Sequence, residues 1–256
     1  AFAGILLIYF LNHFIDIMDV DAAQYASISR EMLETNSWLQ VLHRGADYLD
    51  KPPLLFWLSA VSLKIFGIHN FAYKLPSVLI LLLGMYSFYR LALLFYDRKT
   101  AVAALLIVLT TQAWFQITND IRTDTILIGM LFFALWQLYE YIRKERFINL
   151  LAASVGIAGA MMAKGPIALI ILGTAFGGDL LLKKDFRNIF RFQWLILLAI
   201  VLVLLLPMCY GLYQQFDLHP EKVVYGLKGP SGVKFFFWTQ SFGRITGDIY
   251  WNNHTG

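Results

Sequence analysis

Four short segments hold most of the residues whose chemistry stands out in this chain. They are Asp19-Val20-Asp21, Tyr48-Leu49-Asp50-Lys51-Pro52-Pro53, Asn119-Asp120-Ile121-Arg122-Thr123-Asp124-Thr125 and Lys164-Gly165-Pro166. Carboxylates can take a proton from a hydroxyl, and lysine or arginine can hold a phosphate or offset charge that grows on one. Acid, lysine, acid and lysine together suit a phosphate-bearing lipid, with cations on the phosphate and a carboxylate on a hydroxyl proton. Each segment also has a purely structural reading. Asp21 could be the N-cap of a helix, with Gln24 completing a capping box, and Asp19 a plain loop charge. Pro52 and Pro53 could simply start a helix at Leu54, or they could hold Lys51 extended and rigid. Residues 119–125 could be a helix–helix turn capped by Asp124 or Thr123. Lys164 could snorkel to a membrane interface.

The surroundings of these segments are apolar. The 256 residues are 59% hydrophobic and only 15% charged, against about 25% charged in soluble domains, and the mean hydropathy is +0.61. Stretches almost free of charge, such as 75–94 and 194–207, approach the roughly 20 residues a helix needs to cross a bilayer. The expected fold is all-α, a polytopic transmembrane bundle with spans near 1–15, 75–96, 100–117, 125–142, 147–163, 166–182 and 193–213. Residues 1–213 form this core, and 214–256 form a mixed polar and aromatic segment beyond it. Leu54–Ile68 is read as an interfacial or folded-back helix, because it holds Ser59, Ser62 and Lys64 within 15 residues.

That choice places Asp97-Arg98-Lys99, Arg143-Lys144-Glu145-Arg146 and Lys183-Lys184-Asp185-Phe186-Arg187 on one side, the cytoplasmic side by the positive-inside rule. All four chemical segments then share the outer side, where residues 16–53 carry seven acids against three bases. Within that loop, Tyr25, Ile28, Ser29, Met32 and Leu33 line one face of a helix over 22–34, opposite Gln24, Ser27, Arg30, Glu31 and Glu34. The single cysteine, Cys209, allows no internal disulfide. Asn253-His254-Thr255 fits a glycosylation acceptor pattern that recurs by chance. The chain opens at Ala1 inside an apolar run, which reads as a segment of a longer protein.

An ordered set of residues resembles a known family. Asp21-Ala22-Ala23-Gln24-Tyr25-Ala26 with Arg30-Glu31-Met32-Leu33 is followed by Trp38, Tyr48, Lys51-Pro52-Pro53-Leu54, Phe66-Gly67, Arg122-Thr123-Asp124-Thr125 and Ala163-Lys164-Gly165-Pro166. The set resembles the polyprenyl-phosphate-sugar-dependent glycosyltransferases of GT-C fold, such as lipid A aminoarabinose transferases and protein O-mannosyltransferases. It departs from them at Ala22 and Gln24, where the family commonly has Glu and Arg. The resemblance implies an inverting transfer from a polyprenyl phosphate sugar to a glycolipid or protein acceptor, on the outer face of the inner membrane. It makes Asp21 the catalytic carboxylate and Asp124 the second acid, which orients the acceptor or holds Asp21. Lys51, Arg122 and Lys164 would meet the phosphate, and Tyr25 and Tyr48 would line the sugar pocket, while Asp120 faces the loop. A divalent cation among Asp19, Asp21 and Asp124 stays open. The partners implied are the lipid-linked donor, the acceptor and the bilayer, with no nucleic acid. A transporter or a non-catalytic membrane subunit is the alternative.

The charge placement generates a test of topology. In a Cys209-free protein in intact cells, a cysteine at position 70 should react with an impermeant thiol reagent and one at position 99 should not. The reverse pattern removes the scheme.

Overall fold

The structure, a computed structural model, describes residues 2–12 and 14–243. Eight helices come first: α1 (Phe2–Asn12), α2 (Val20–Thr35), α3 (Leu54–Phe66), α4 (Asn70–Phe95), α5 (Arg98–Leu109), α6 (Gln112–Asn119), α7 (Thr123–Lys144) and α8 (Phe147–Lys164). Helix α9 (Ile167–Leu182) contains a π-helical turn at Gly173–Gly177. A short turn at Phe186–Ile189 leads into α10 (Gln193–Leu212), which ends in a second π turn, Tyr213–Asp217. Two small antiparallel hairpins pair β1 (Leu42–His43) with β2 (Ala46–Asp47) and β3 (Val223–Val224) with β4 (Leu227–Lys228). The candidate glycosylation site at Asn253 lies outside the described residues.

Among the described residues, four helical runs are long and apolar enough to cross a membrane: α4, α7, α8 and the run Phe186–Asp217 that contains α10. The span expected at 100–117 is not one straight helix. It is α5 and α6, bent by 58° at their junction. The side chains at the break explain it. Thr110 Oγ1 donates back to the Leu106 and Ile107 carbonyls, and Thr111 Oγ1 donates to Val108 while capping α6 at the Trp114 amide. Such back-bonds compete with the helix ladder. Helix α3 has 13 residues, about 20 Å at 1.5 Å per residue, short of a hydrocarbon core of about 30 Å.

Helices α4 and α7 run in the same direction. Gly84 lies against Gly129, and further along Arg90 meets Glu140 at 3.8 Å. Helix α8 runs back along α7, with Asn149 donating to Gln137 near one end and Lys164 paired to Asp124 at the other. One core joins the bundle to the loop helices: Tyr25, Ile28 and Met32 of α2 and Phe56 of α3 share it with Ile126 of α7, Met161 of α8 and Leu205 of α10. The amphipathic face expected for 22–34 is therefore spent on the bundle.

The bundle has two ends of opposite character. The acids and lysines of the four chemical segments gather at one. At the other, Lys183 pairs with Asp179 and lies 4.8 Å from the Phe95 ring, and Arg191 pairs with Glu145. The three basic clusters thus share this second end.

Close approach of α4 and α7 requires glycine. A Cβ on Gly84 would sit 2.6 Å from Gly129 Cα, whereas one on Gly173 would meet nothing within 4 Å. Gly84→Val should cost about 1–3 kcal/mol, the usual range for overpacking, and lower Tm in detergent. Gly173→Val should leave Tm nearly unchanged, and equal losses would count against the crossing.

Candidate active site

The first acid of the site is placed by a cap that the sequence assigns to the wrong residue. Asp19, not Asp21, is the N-cap of α2, and its Oδ1 accepts from the Ala22 amide at 3.1 Å. Asp19 is therefore no plain loop charge. Asp21 falls in the first helical turn, and its side chain is 57% exposed. Gln24 completes no capping box and instead contacts His43 Nδ1 at 3.3 Å. The difference is physical: Val20 already has helical geometry, so the half-turn residue is the one before it.

Asp120 holds this helix start from below. Its Oδ1 accepts from the Met18 and Asp19 amides at 3.1 and 3.3 Å, so it faces the loop before α2 and anchors its backbone. Two consecutive residues of α4 complete the support. The buried Tyr73 hydroxyl lies 3.3 Å from the Ala22 carbonyl and 3.1 Å from that of Ile121, tying the two acid-bearing segments together. The fully buried Lys74 ammonium donates to the carbonyls of Asn12 and Ile15 and to Asn119 Oδ1. It satisfies carbonyls at the end of α1 that have no helical partner.

Neither Asp124 nor Thr123 caps α7. Arg122 occupies the cap position, its amide donating to Thr125 Oγ1 at 3.4 Å. The Arg122 guanidinium reaches across to α2, 2.9 Å from Asp19 and 3.8 Å from Asp21. Arg122, rather than Asp124, holds Asp21. Asp124 pairs instead with Lys164, each about two-fifths exposed, so Lys164 is an ion-pair partner and not merely a snorkelling lysine. Asp19, Gln116, Asp120, Arg122 and Asp124 line a cleft of about 400 Å³.

The third side of the site is the double-proline loop. Pro53 precedes α3 directly, and the largely buried Lys51 pairs with its neighbour Asp50. Gln240, on the closing segment Phe235–Gly243, donates to the Asp50 carbonyl at 2.6 Å. The same Gln240 lies against Gly165, where φ is +83° and an added Cβ would be 3.1 Å from Gln240 Oε1. Gln240 therefore links the Lys51 loop to the Lys164 turn.

Tyr25 and Tyr48 pack with Phe56 beneath these charges, their rings 5.8 and 5.9 Å from it. Burial pushes the Tyr25 phenol well above its ordinary pKa, and the negative charges of Asp21, Asp50 and Asp124 push it further while Arg122 opposes them. One phenol thus feels α2, the double-proline loop and α7 together. Burial first, then Asp50, keeps Tyr48 protonated as well, and its buried hydroxyl has no hydrogen-bond partner among the described residues. Asp19, Asp21 and Asp124 do not form a metal-binding group. Among the described residues no three acidic, His or Cys side chains do so. The reason is that Asp19 and Asp21 face Arg122 while Asp124 faces Lys164.

A multi-pass helical bundle with a carboxylate and cation site at one end is the arrangement of GT-C glycosyltransferases. Residues 50–210 match the family described as Dolichyl-phosphate-mannose-protein mannosyltransferase, and the chain belongs to that family. It is 27% identical over 233 residues to undecaprenyl phosphate-alpha-4-amino-4-deoxy-L-arabinose arabinosyl transferase 2 of Proteus mirabilis, covering 89% of this chain and 40% of that protein. It is 28% identical over 230 residues to the corresponding transferase of Yersinia pestis (strain Pestoides F), covering 88% of this chain and 39% of the relative. Two crystal structures of ArnT from Cupriavidus metallidurans share its fold, each with a TM-score of 0.78. The apo form is 21% identical and covers 92% of this chain and 42% of that one. The form bound to undecaprenyl phosphate is 20% identical and covers 94% and 43%. The chain spans about two-fifths of the length of these relatives.

Sequence reasoning missed Tyr73, Lys74 and Gln240. The one available signal was a lysine immediately before the apolar run at 75–94. The role of Tyr73 is testable apart from any activity. Tyr73→Phe should cost about 1 kcal/mol, the net worth of a typical hydrogen bond. It should also speed amide exchange at the starts of α2 and α7, with unchanged helix content by circular dichroism. Unchanged exchange at both helix starts would show that the hydroxyl positions neither.

Proposed function

We propose that this chain carries the catalytic end of a membrane glycosyltransferase. Such an enzyme moves a sugar from a polyprenyl phosphate to a hydroxyl or phosphate of a cell-envelope glycolipid or protein. The reading places the reaction at the outer face of the inner membrane. The observation that carries it is the exposed Asp21 carboxylate beside Arg122, with Lys51 and Lys164 on loops that Gln240 links. Family membership and the shared fold of a relative bound to undecaprenyl phosphate support a lipid-phosphate donor. The relatives' names attach an aminoarabinose to that carrier.

In this reaction the acceptor oxygen attacks the anomeric carbon from the face opposite the phosphate. The carbon–oxygen bond to phosphate breaks, and the configuration inverts. A phosphate leaves without needing a proton, so the chemistry asks only for cations on that side. Lys51, Arg122 and Lys164 supply them, each already beside a carboxylate. Donor phosphate then takes the place of one anion next to these cations. The acceptor proton passes to Asp21, acting as general base. Tyr25 and Tyr48, both buried, form the floor beneath these charges. A transporter would place its charged site near mid-bilayer between repeats, whereas these charges gather at one end.

Because Asp19 makes the cap, the base and cap roles separate cleanly. Asp21→Asn in the full-length enzyme should leave α2 and stability intact. Transfer should fall at least about a hundredfold, since general-base help is worth roughly 10²–10⁴, while donor affinity changes little. Near-normal transfer would leave Asp21 a surface charge and move the base to Asp124 or Asp19.

A further inference from the structure

The end of the bundle away from Asp21 holds a second arrangement that the proposed reaction does not use. An apolar groove of about 360 Å³ runs between α7, α8, α9 and α10, lined among others by Leu138, Ile157, Phe176, Leu180 and Trp194. Its α9 wall extends from Leu169 to Leu181, about 18 Å at 1.5 Å per residue. That is close to one leaflet of a hydrocarbon core about 30 Å thick. Gly173 and Gly177 form part of this wall, and a Cβ on either would meet nothing within 4 Å. The space is a groove between helices, not a tight crossing.

Charge sits at its mouth. The loop leaving Leu181 turns back through Asp185, whose amide donates to the Leu180 carbonyl at 2.9 Å and whose carboxylate caps the next turn at Asn188. Trp194 Nε1 donates to the Asn188 carbonyl at 2.7 Å, so the rim carries an indole, a group that favours membrane interfaces. Residues 183–191 carry four cations against one carboxylate. Lys183 is occupied by Asp179 and Arg191 by Glu145. Lys184 and Arg187 are exposed, and among the described residues neither makes an ion pair. Exposed apolar side chains stand in the same segment: Leu182 at 87%, Phe186 at 55% and Phe190 at 81%. A hydrocarbon slot under two unpaired cations complements a molecule with an anionic head and an apolar tail.

We propose that this groove binds one anionic glycerophospholipid of the bilayer, with its phosphate at Lys184 and Arg187 and an acyl chain along Gly173 and Gly177. The lipid-linked sugar donor has the same general chemistry. The groove opens at the basic end, opposite the Asp21–Arg122 site, which favours a resident bilayer lipid over the donor.

The test uses full-length protein in detergent, with phosphatidylglycerol and phosphatidylcholine as probes and native mass spectrometry as readout. Wild type should retain phosphatidylglycerol in preference to phosphatidylcholine. Removing both cations, Lys184→Gln with Arg187→Gln, should weaken phosphatidylglycerol about 25-fold, taking roughly fivefold per basic residue near an anionic head group. Gly177→Leu should displace the lipid by filling the groove, without lowering Tm in lipid-free detergent, since leucine suits a helix better than glycine. Equal retention of the two lipids, or preference that survives either variant, would overturn the proposal. So would displacement of phosphatidylglycerol by an equal concentration of undecaprenyl phosphate. None of these readouts depends on transfer activity, so failure here leaves the assignment of Asp21 untouched.

Discussion

Arg122 is one guanidinium shared by two carboxylates that belong to a different helix. Its planar fork can serve Asp19 and Asp21 at once, which a lysine ammonium does less well. Everything at the site end depends on that span being right. Asp19 must be fixed to cap α2, Asp21 must follow on the exposed side of the first turn, and Arg122 must stand at the start of α7. A partly exposed ion pair contributes little stability by itself, so the pair cannot impose this geometry alone. Further hydrogen bonds do so. Asp120 takes the two amides before α2, Tyr73 touches the carbonyls of Ala22 and Ile121, and Lys74 ties the end of α1 to Asn119.

The reason such supports are needed lies in the solvent. Helices that end near a membrane surface leave carbonyls and amides that water reaches poorly, and each must find a partner within the protein. Lys74 answers that need at the end of α1 with an ammonium that is itself fully buried. The same accounting explains the breaks. Thr110 and Thr111 satisfy carbonyls at the α5–α6 bend, and π turns carry α9 and α10 through glycine-rich or terminal segments. Irregular backbone occurs here where side chains or neighbouring helices meet its polar groups.

Much of this was legible because membrane proteins separate their signals. Apolar length marked α4, α7, α8 and α10, and the period of Tyr25, Ile28, Ser29 and Met32 marked the buried face of α2. The set Asp21, Lys51, Arg122, Asp124 and Lys164 was visible as types in order. Its pairing was not. Which carboxylate caps α2 turns on one residue of register, and Val20 joining the helix moves the cap from Asp21 to Asp19. Which acid meets which base turns on helix azimuth: Asp124 faces Lys164 on α8, while Arg122 faces α2. Tyr73 and Lys74 were hidden for a different reason. Their work is to touch backbone carbonyls, and a carbonyl leaves no trace in residue type.

The pairing changes how the site must work. Read from the sequence, three cations wait for a phosphate. In the structure each already has a carboxylate: Asp50 for Lys51, Asp19 and Asp21 for Arg122, Asp124 for Lys164. On the proposed reading, an arriving phosphate competes with these acids, and the carboxylate it displaces loses its ion-pair partner. A donor phosphate that draws Arg122 away from Asp21 frees the carboxylate assigned as base from that ion pair. Donor and base would then be coupled through one guanidinium. The exposed position of Asp21, against the capped and anchored Asp19, is what leaves it free to respond.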